Sequence, residues 1–169
     1  GLNREKLAVY GRMATFAELS VEFFLRNGIH LTDLLLSGIL ARYPAIKFVS
    51  VESGIGWIPF LLEALDYQFL GNHVQEERPD LDRLPSEYFA SNVYGCYWFE
   101  KIAPRRLIDK VGADNILFET DFPHPTSIFG EQVHDCIKHG LDECNADVRR
   151  KILWGNAEKL YQIETPSAA

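Results

Sequence analysis

The stretch that decides the fold is ILFETDFPHPTSIF, residues 116–129. An apolar, aromatic-containing run leads into Glu119 and Asp121, and Pro123-His124-Pro125 then stiffens the chain that follows. Such a run, closed by turn residues, reads as a strand ending on acidic side chains. Side chains alternate along a strand, so Leu117, Glu119 and Asp121 share one face while Ile116, Phe118 and Thr120 share the other. Whether the acids rim a site or merely shape a turn depends on what surrounds this strand.

Upstream, residues 13–26 (MATFAELSVEFFLR) carry apolar residues at helical spacing, and Asn27-Gly28 supplies a left-handed stop. A second helix is expected from Thr32, ending ahead of Pro44. Residues 46–54 (IKFVSVESG) read as a strand, and residues 56–70 return to helical period with Pro59 tolerated in the first turn. The polar, Pro-containing residues 71–85 read as a loop. There follow a short helix at SEYFA, a strand at NVYGCYW, a helix at APRRLIDKVG and the strand NILFET. Two helical runs close the chain, the last with Asn145 as its cap. Strands separated by helices predict parallel βαβ units. Three strands are too few for a closed eight-stranded barrel, which takes about 250 residues.

With 169 residues, 47% of them hydrophobic, the chain supports one domain with a sizeable core, taken as residues 1–169. Its net charge of −7 and lack of a clustered Lys/Arg face argue against nucleic acid or an anionic membrane as partner. Three cysteines without C-x-x-C spacing suit a reducing compartment, and a cytoplasmic location is expected. No apolar run reaches the length of a membrane span. The chain opens at Gly1 within helical sequence and without a Met, which points to a fragment or a processed chain.

In parallel α/β folds ligands bind outside the carboxyl ends of strands. That rule selects Glu52, Ser53, Gly54 and Gly56 after the first strand, and Glu119, Asp121 and His124 after the third. By alternation Phe48, Ser50 and Glu52 share a face, which brings Glu52 to the rim of Asp121 if both point inward. Two converging carboxylates suit a divalent cation or an acid–base pair. Against this, an Asp after a strand equally serves as a turn or capping residue, and Glu52 by itself reads sooner as a solvated loop acid than as a site residue. The Ser53–Gly56 turn has the form of a backbone anion site. Cys96 reads as a small buried hydrophobe, and His30, His73, His134 and His139 fall away from the rim.

Residues 34–66, 84–98 and 109–127 together resemble the last part of the metal-dependent amidohydrolase-related family, which includes the aminocarboxymuconate-semialdehyde decarboxylase-like enzymes. The resemblance runs from about Leu31 to Ile163, with Asp121-Phe122-Pro123-His124 as its most specific motif. It implies a distorted (β/α)8 TIM barrel of which this chain holds strands six to eight. It also implies that Asp121 is a metal ligand or a base beside the metal, with Pro123-His124 near the pocket. Where the family often has a His at the end of strand six, this chain has Glu52. The family's His-x-His pair from strand one occurs nowhere in these residues.

The expected catalytic residues are therefore Asp121, Glu52 and His124, with Asp121 as metal ligand. The expected cofactor is a divalent metal, Zn first and Mn or another ion second. The expected reaction is metal-dependent hydrolysis of a small carbonyl or carboxylate substrate, because Glu52 replaces the His. The alternatives are nonoxidative decarboxylation by the same kind of enzyme, and an inactive half-barrel acting as an assembly module. The expected partner is a small-molecule substrate, together with either further copies of the chain or the missing N-terminal half of the barrel.

Overall fold

A computed structural model describes residues 4–163. Three short strands, β1 (Phe48–Ser50), β2 (Val93–Tyr97) and β3 (Ile116–Phe118), form one parallel sheet in the order β1-β2-β3. Ser50 pairs with Gly95, and Gly95 in turn with Ile116. The chain is thus α/β, with the strands the sequence indicates and the parallel sense that helical crossovers require.

Helices cover one face of the sheet. Gly95 lies on that face with no room for a side chain: a Cβ there would come within 2.7 Å of Ile58 Cδ1 on α3 (Ile58–Gly71). Tyr97, two residues on, donates its hydroxyl to the Cys136 carbonyl of α8 (Glu131–Leu141) at 2.6 Å. Ile58, Leu62, Leu65 and Phe69 recur at helical spacing and bury the same stripe of α3 against Tyr88, Phe89 and Ile116. The opposite face carries Cys96 and Leu117, both buried, and Trp98 just past the end of β2.

The stop expected at Asn27-Gly28 does not occur. α1 runs from Arg4 to Leu36, kinked at Gly11 (φ 75, ψ 166). Gly28 remains helical and buried because its missing side chain lets the Trp57 ring approach; a Cβ would meet Trp57 Cε3 at 3.3 Å. Thr32, expected to start a second helix, instead returns its hydroxyl to the Gly28 carbonyl inside α1. The break comes at Gly38 (φ 79), followed by the single turn α2 (Ile39–Arg42). The loop over residues 71–85 contains one helical turn, α4 (Val74–Glu77), before α5 (Pro85–Asn92). The helix expected at residues 103–112 splits at Leu107 into α6 (Ala103–Arg106) and α7 (Ile108–Val111). The last segment is α9 (Ala146–Arg150), a π-helical turn over Lys151–Gly155 and α10 (Asn156–Tyr161). Asn145 caps α9 as expected, accepting Val148 N at 2.9 Å.

Three asparagine amides close the entry rim of the sheet. Asn92 Nδ2 donates to the Pro44 and Ile46 carbonyls ahead of β1, and Asn115 Nδ2 to those of Ala90 and Val93 at the start of β2. Asn156 Nδ2 donates to those of Ala113 and Ile116 at the start of β3. All three side chains are buried, so each satisfies carbonyls that burial would otherwise leave unpaired. Among the described residues no helix is long and apolar enough to cross a membrane.

Candidate metal centre at the carboxyl ends of the strands

The exit rim is built from acids. β3 ends at Phe118, and Asp121 three residues later takes a left-handed backbone, φ 57. Its side chain is only 8% exposed, against 61% for His124, whose Nδ1 lies 2.6 Å from Asp121 Oδ1. A turn bond from His124 N to the Asp121 carbonyl at 3.0 Å closes this segment. The hydrogen bond to Asp121, together with its charge, raises the His124 pKa above that of a free imidazole.

Glu52, two residues beyond β1, is also left-handed at φ 56. For residues other than Gly this conformation costs roughly 1–3 kcal/mol, so the surroundings must hold it. They do: Glu52 N donates to Glu119 Oε1 at 2.8 Å, and Asn27 Nδ2 from α1 bonds Val51 O and the hydroxyls of Ser50 and Ser53. The turn redirects the Glu52 carboxylate, and one ligand atom from each of Glu52, Asp121 and His124 then lies within 4.8 Å of the others.

The route by which Glu52 arrives differs from simple alternation. Phe48 packs against the helix-side core, and Ser50, paired with Gly95, faces the helices and bonds Asn27. Continued alternation would send Glu52 to that same side. The left-handed backbone breaks the alternation, which holds only in extended chain, and brings Glu52 to the rim of Asp121.

Glu119 completes the rim. Burial pushes its carboxyl up to about 7, against the lowering effect of the Glu52 N–H and the Cys96 thiol. Cys96 is buried as expected, and burial followed by the neighbouring Glu119 charge pushes its thiol pKa well up, so it remains a protonated, inert group. The Ser53–Gly56 turn does bind an anion, but that anion is the chain's own: Glu100 accepts Ile55 N at 2.9 Å and Gly56 N at 2.7 Å. Nothing in the spacing of the sequence pairs Glu100 with a turn more than forty residues upstream, so sequence reasoning does not find it. His30, within α1, and His73, ahead of α4, stand outside the Glu52–Asp121–His124 group.

Two carboxylates and an imidazole at these separations fit a divalent cation. Oxygen-rich sets suit Mn and related hard ions, and the imidazole is shared with Zn chemistry. A groove of about 410 Å³, lined by Met13, Phe16, Phe24, Trp98, Phe99 and Thr126, draws Trp98 from just past β2 and Thr126 from two residues after His124. Phe99 stacks on Phe24 with ring centroids 5.6 Å apart.

A parallel α/β sheet with acids and a His gathered beyond the carboxyl ends of its strands places candidate ligands where folds of this class bind theirs. A sequence profile of the amidohydrolase family matches residues 10–163, and the chain belongs to that family. It is 28% identical over 149 residues to gamma-resorcylate decarboxylase of Polaromonas sp. strain JS666, covering 83% of this chain and 42% of that protein. The solved 5-carboxyvanillate decarboxylase of Sphingomonas paucimobilis is similar with a TM-score of 0.63 and 28% identity, over 79% of this chain and 38% of that one. The dihydroxybenzoic acid decarboxylase of Polaromonas sp. JS666, solved with bound manganese and the inhibitor 2-nitroresorcinol, is similar with a TM-score of 0.62 and 26% identity, over 82% of this chain and 40% of that one. The chain thus spans about two fifths of the length of these relatives.

Proposed function

We propose that this chain is the strand-six-to-eight portion of a (β/α)8 barrel that removes CO2 from a small hydroxylated aromatic carboxylic acid. The observation that carries the reading is the convergence of Glu52, Asp121 and His124 within 4.8 Å on the rim where such enzymes work, in a chain whose relatives are decarboxylases. Glu52 in place of a His argues for hydrolysis on sequence grounds alone. The relatives weigh more, and they reverse that order.

Asp121 and Glu52 are the residues that would hold the metal, with manganese preferred to zinc because both donors are carboxylates. When bound, the ion supplies positive charge that orients the oxygens of an anionic substrate. His124, hydrogen-bonded to Asp121 with its pKa raised by that contact, is the proton carrier. The bond between the ring carbon and the carboxylate carbon breaks, its electron pair stays on the ring, CO2 departs, and the ring carbon takes a proton. The aromatic groove offers a flat ring apolar walls. The other strands of the barrel would add the remaining donors and enclose the site.

The test supplies the protein with Mn²⁺ and a set of dihydroxybenzoates and measures CO2 release, alongside hydrolysis of esters and amides. Mn²⁺-dependent CO2 release that Asp121→Asn abolishes is the expected result. Ester or amide hydrolysis without CO2 release overturns the reading.

A further inference from the structure

The Glu52 turn is held by side chains from several parts of the fold. Asn27 from α1 takes the Val51 carbonyl and the Ser53 hydroxyl, Glu119 after β3 takes the Glu52 N–H, and Trp57 Nε1 takes the Ser53 carbonyl. Glu100, after β2, fills the remainder: its two oxygens accept Ile55 N, and Oε1 also accepts Gly56 N. The fit is close on both sides, since a Cβ at Gly54 (φ +73) would come within 2.8 Å of Glu100 Cδ. The Glu52 carboxylate itself accepts no hydrogen bond among the described residues. The turn is anchored on both sides of Glu52, and the carboxylate it presents is left free to accept a ligand.

We propose that Glu100 is a positioning residue: by filling the Ser53–Gly56 turn it sets the Glu52 carboxylate opposite Asp121. This rests on reading Glu52 and Asp121 as the metal-holding pair. A carboxylate suits the role because it accepts several N–H groups at once in the concavity ahead of α3, where the helix dipole also favours negative charge. Without it the Ile55 and Gly56 N–H groups lose their acceptors, and the left-handed Glu52, three and four residues earlier, loses the anchor on its downstream side.

The experiment measures Mn²⁺ affinity by calorimetry and backbone amide exchange at residues 52–56 in the 169-residue chain. The variants are Glu100→Ala, Glu100→Gln and Glu52→Gln, with the double variants. Glu100→Asp, charged but one methylene short, replaces Glu100→Ala should that variant not fold. The expected result is an Mn²⁺ affinity weakened about tenfold by Glu100→Ala, less than threefold by Glu100→Gln, which keeps one acceptor oxygen, and no further loss when Glu52 is already Gln. Exchange at the Glu52 amide accelerates in step. An unchanged affinity in Glu100→Ala, or an equal loss in the Glu52→Gln background, overturns the proposal. Should the unmodified chain bind no Mn²⁺, the metal reading falls; the positioning of Glu52 is then judged by amide exchange, and an unchanged Glu52 amide in Glu100→Ala overturns it.

Discussion

Glu119 Oε1 accepts the backbone N–H of Glu52 at 2.8 Å, joining the carboxyl ends of β3 and β1 across the intervening β2. Half-buried acids, which the entry rim lacks among the described residues, close the exit rim. Asparagine amides donate to carbonyls where the strands enter, and where they leave carboxylates accept N–H groups beside the Asn27 amide. An amide on the entry side adds no charge and serves packing alone. Carboxylates on the exit side concentrate negative charge where a cation would be held, at the cost of burying acids.

The Glu119 contact separates two variants. Glu119→Gln keeps an acceptor oxygen and should change unfolding stability by less than about 1 kcal/mol. Glu119→Ala leaves Glu52 N without its acceptor and is expected to cost about 1–3 kcal/mol, a fall of several degrees in Tm for a chain of this size. Urea unfolding of both variants checks the ordering.

Asp121→Asn tests the metal centre with little disturbance to the backbone. Asn tolerates the left-handed conformation that Asp121 adopts, so the fold should persist with an unchanged circular dichroism spectrum. Loss of the charged oxygen should weaken Mn²⁺ binding at least a hundredfold by calorimetry. Glu52→Gln, at the exposed edge of the group, should weaken it by a smaller factor.

Much of this was legible in the sequence. The three strands, their parallel sense and the placement of Glu52, Asp121 and His124 beyond the strands' carboxyl ends follow from hydrophobic runs and the rim rule. What was not legible depends on contacts far apart in the chain. Asn27-Gly28 carries a local stop signal, yet the Trp57 ring needs the bare face of Gly28, and packing overrides propensity. Glu52 reaches the rim through a left-handed turn that alternation does not anticipate. Glu100 looks like one more surface acid until the Ser53–Gly56 turn is folded around it.

The Trp57 contact makes the continuity of α1 testable. Gly28→Val places a branched side chain where the ring already stands, 3.3 Å from the Cβ position, and should cost about 1–3 kcal/mol through overpacking. Gly28→Ala should be nearly neutral, because better helix propensity offsets the tight contact. Thermal unfolding followed by tryptophan fluorescence distinguishes the two. A stability gain in Gly28→Val would mean the helix does end near Asn27.

The last prediction concerns pH. Burial raises the Glu100 carboxyl above its ordinary value near 4.5, although the Ile55 and Gly56 N–H groups pull the other way. The folded state therefore binds this proton more tightly than the unfolded chain does. By linkage, the stability Glu100 contributes is fully present below the unfolded pKa and is lost as pH rises through the folded one. Glu100→Gln has no proton to lose, so the stability difference, wild type minus variant, should fall steadily from about pH 4 upward and level off above the raised pKa. Urea titrations of both proteins across that range measure it. A difference that rises with pH would mean that the N–H groups outweigh burial and that the ionised carboxylate is the form the turn stabilises. A falling difference means the chain retains at neutral pH an acid that weakens its own fold, as expected of a residue kept for the placement of Glu52.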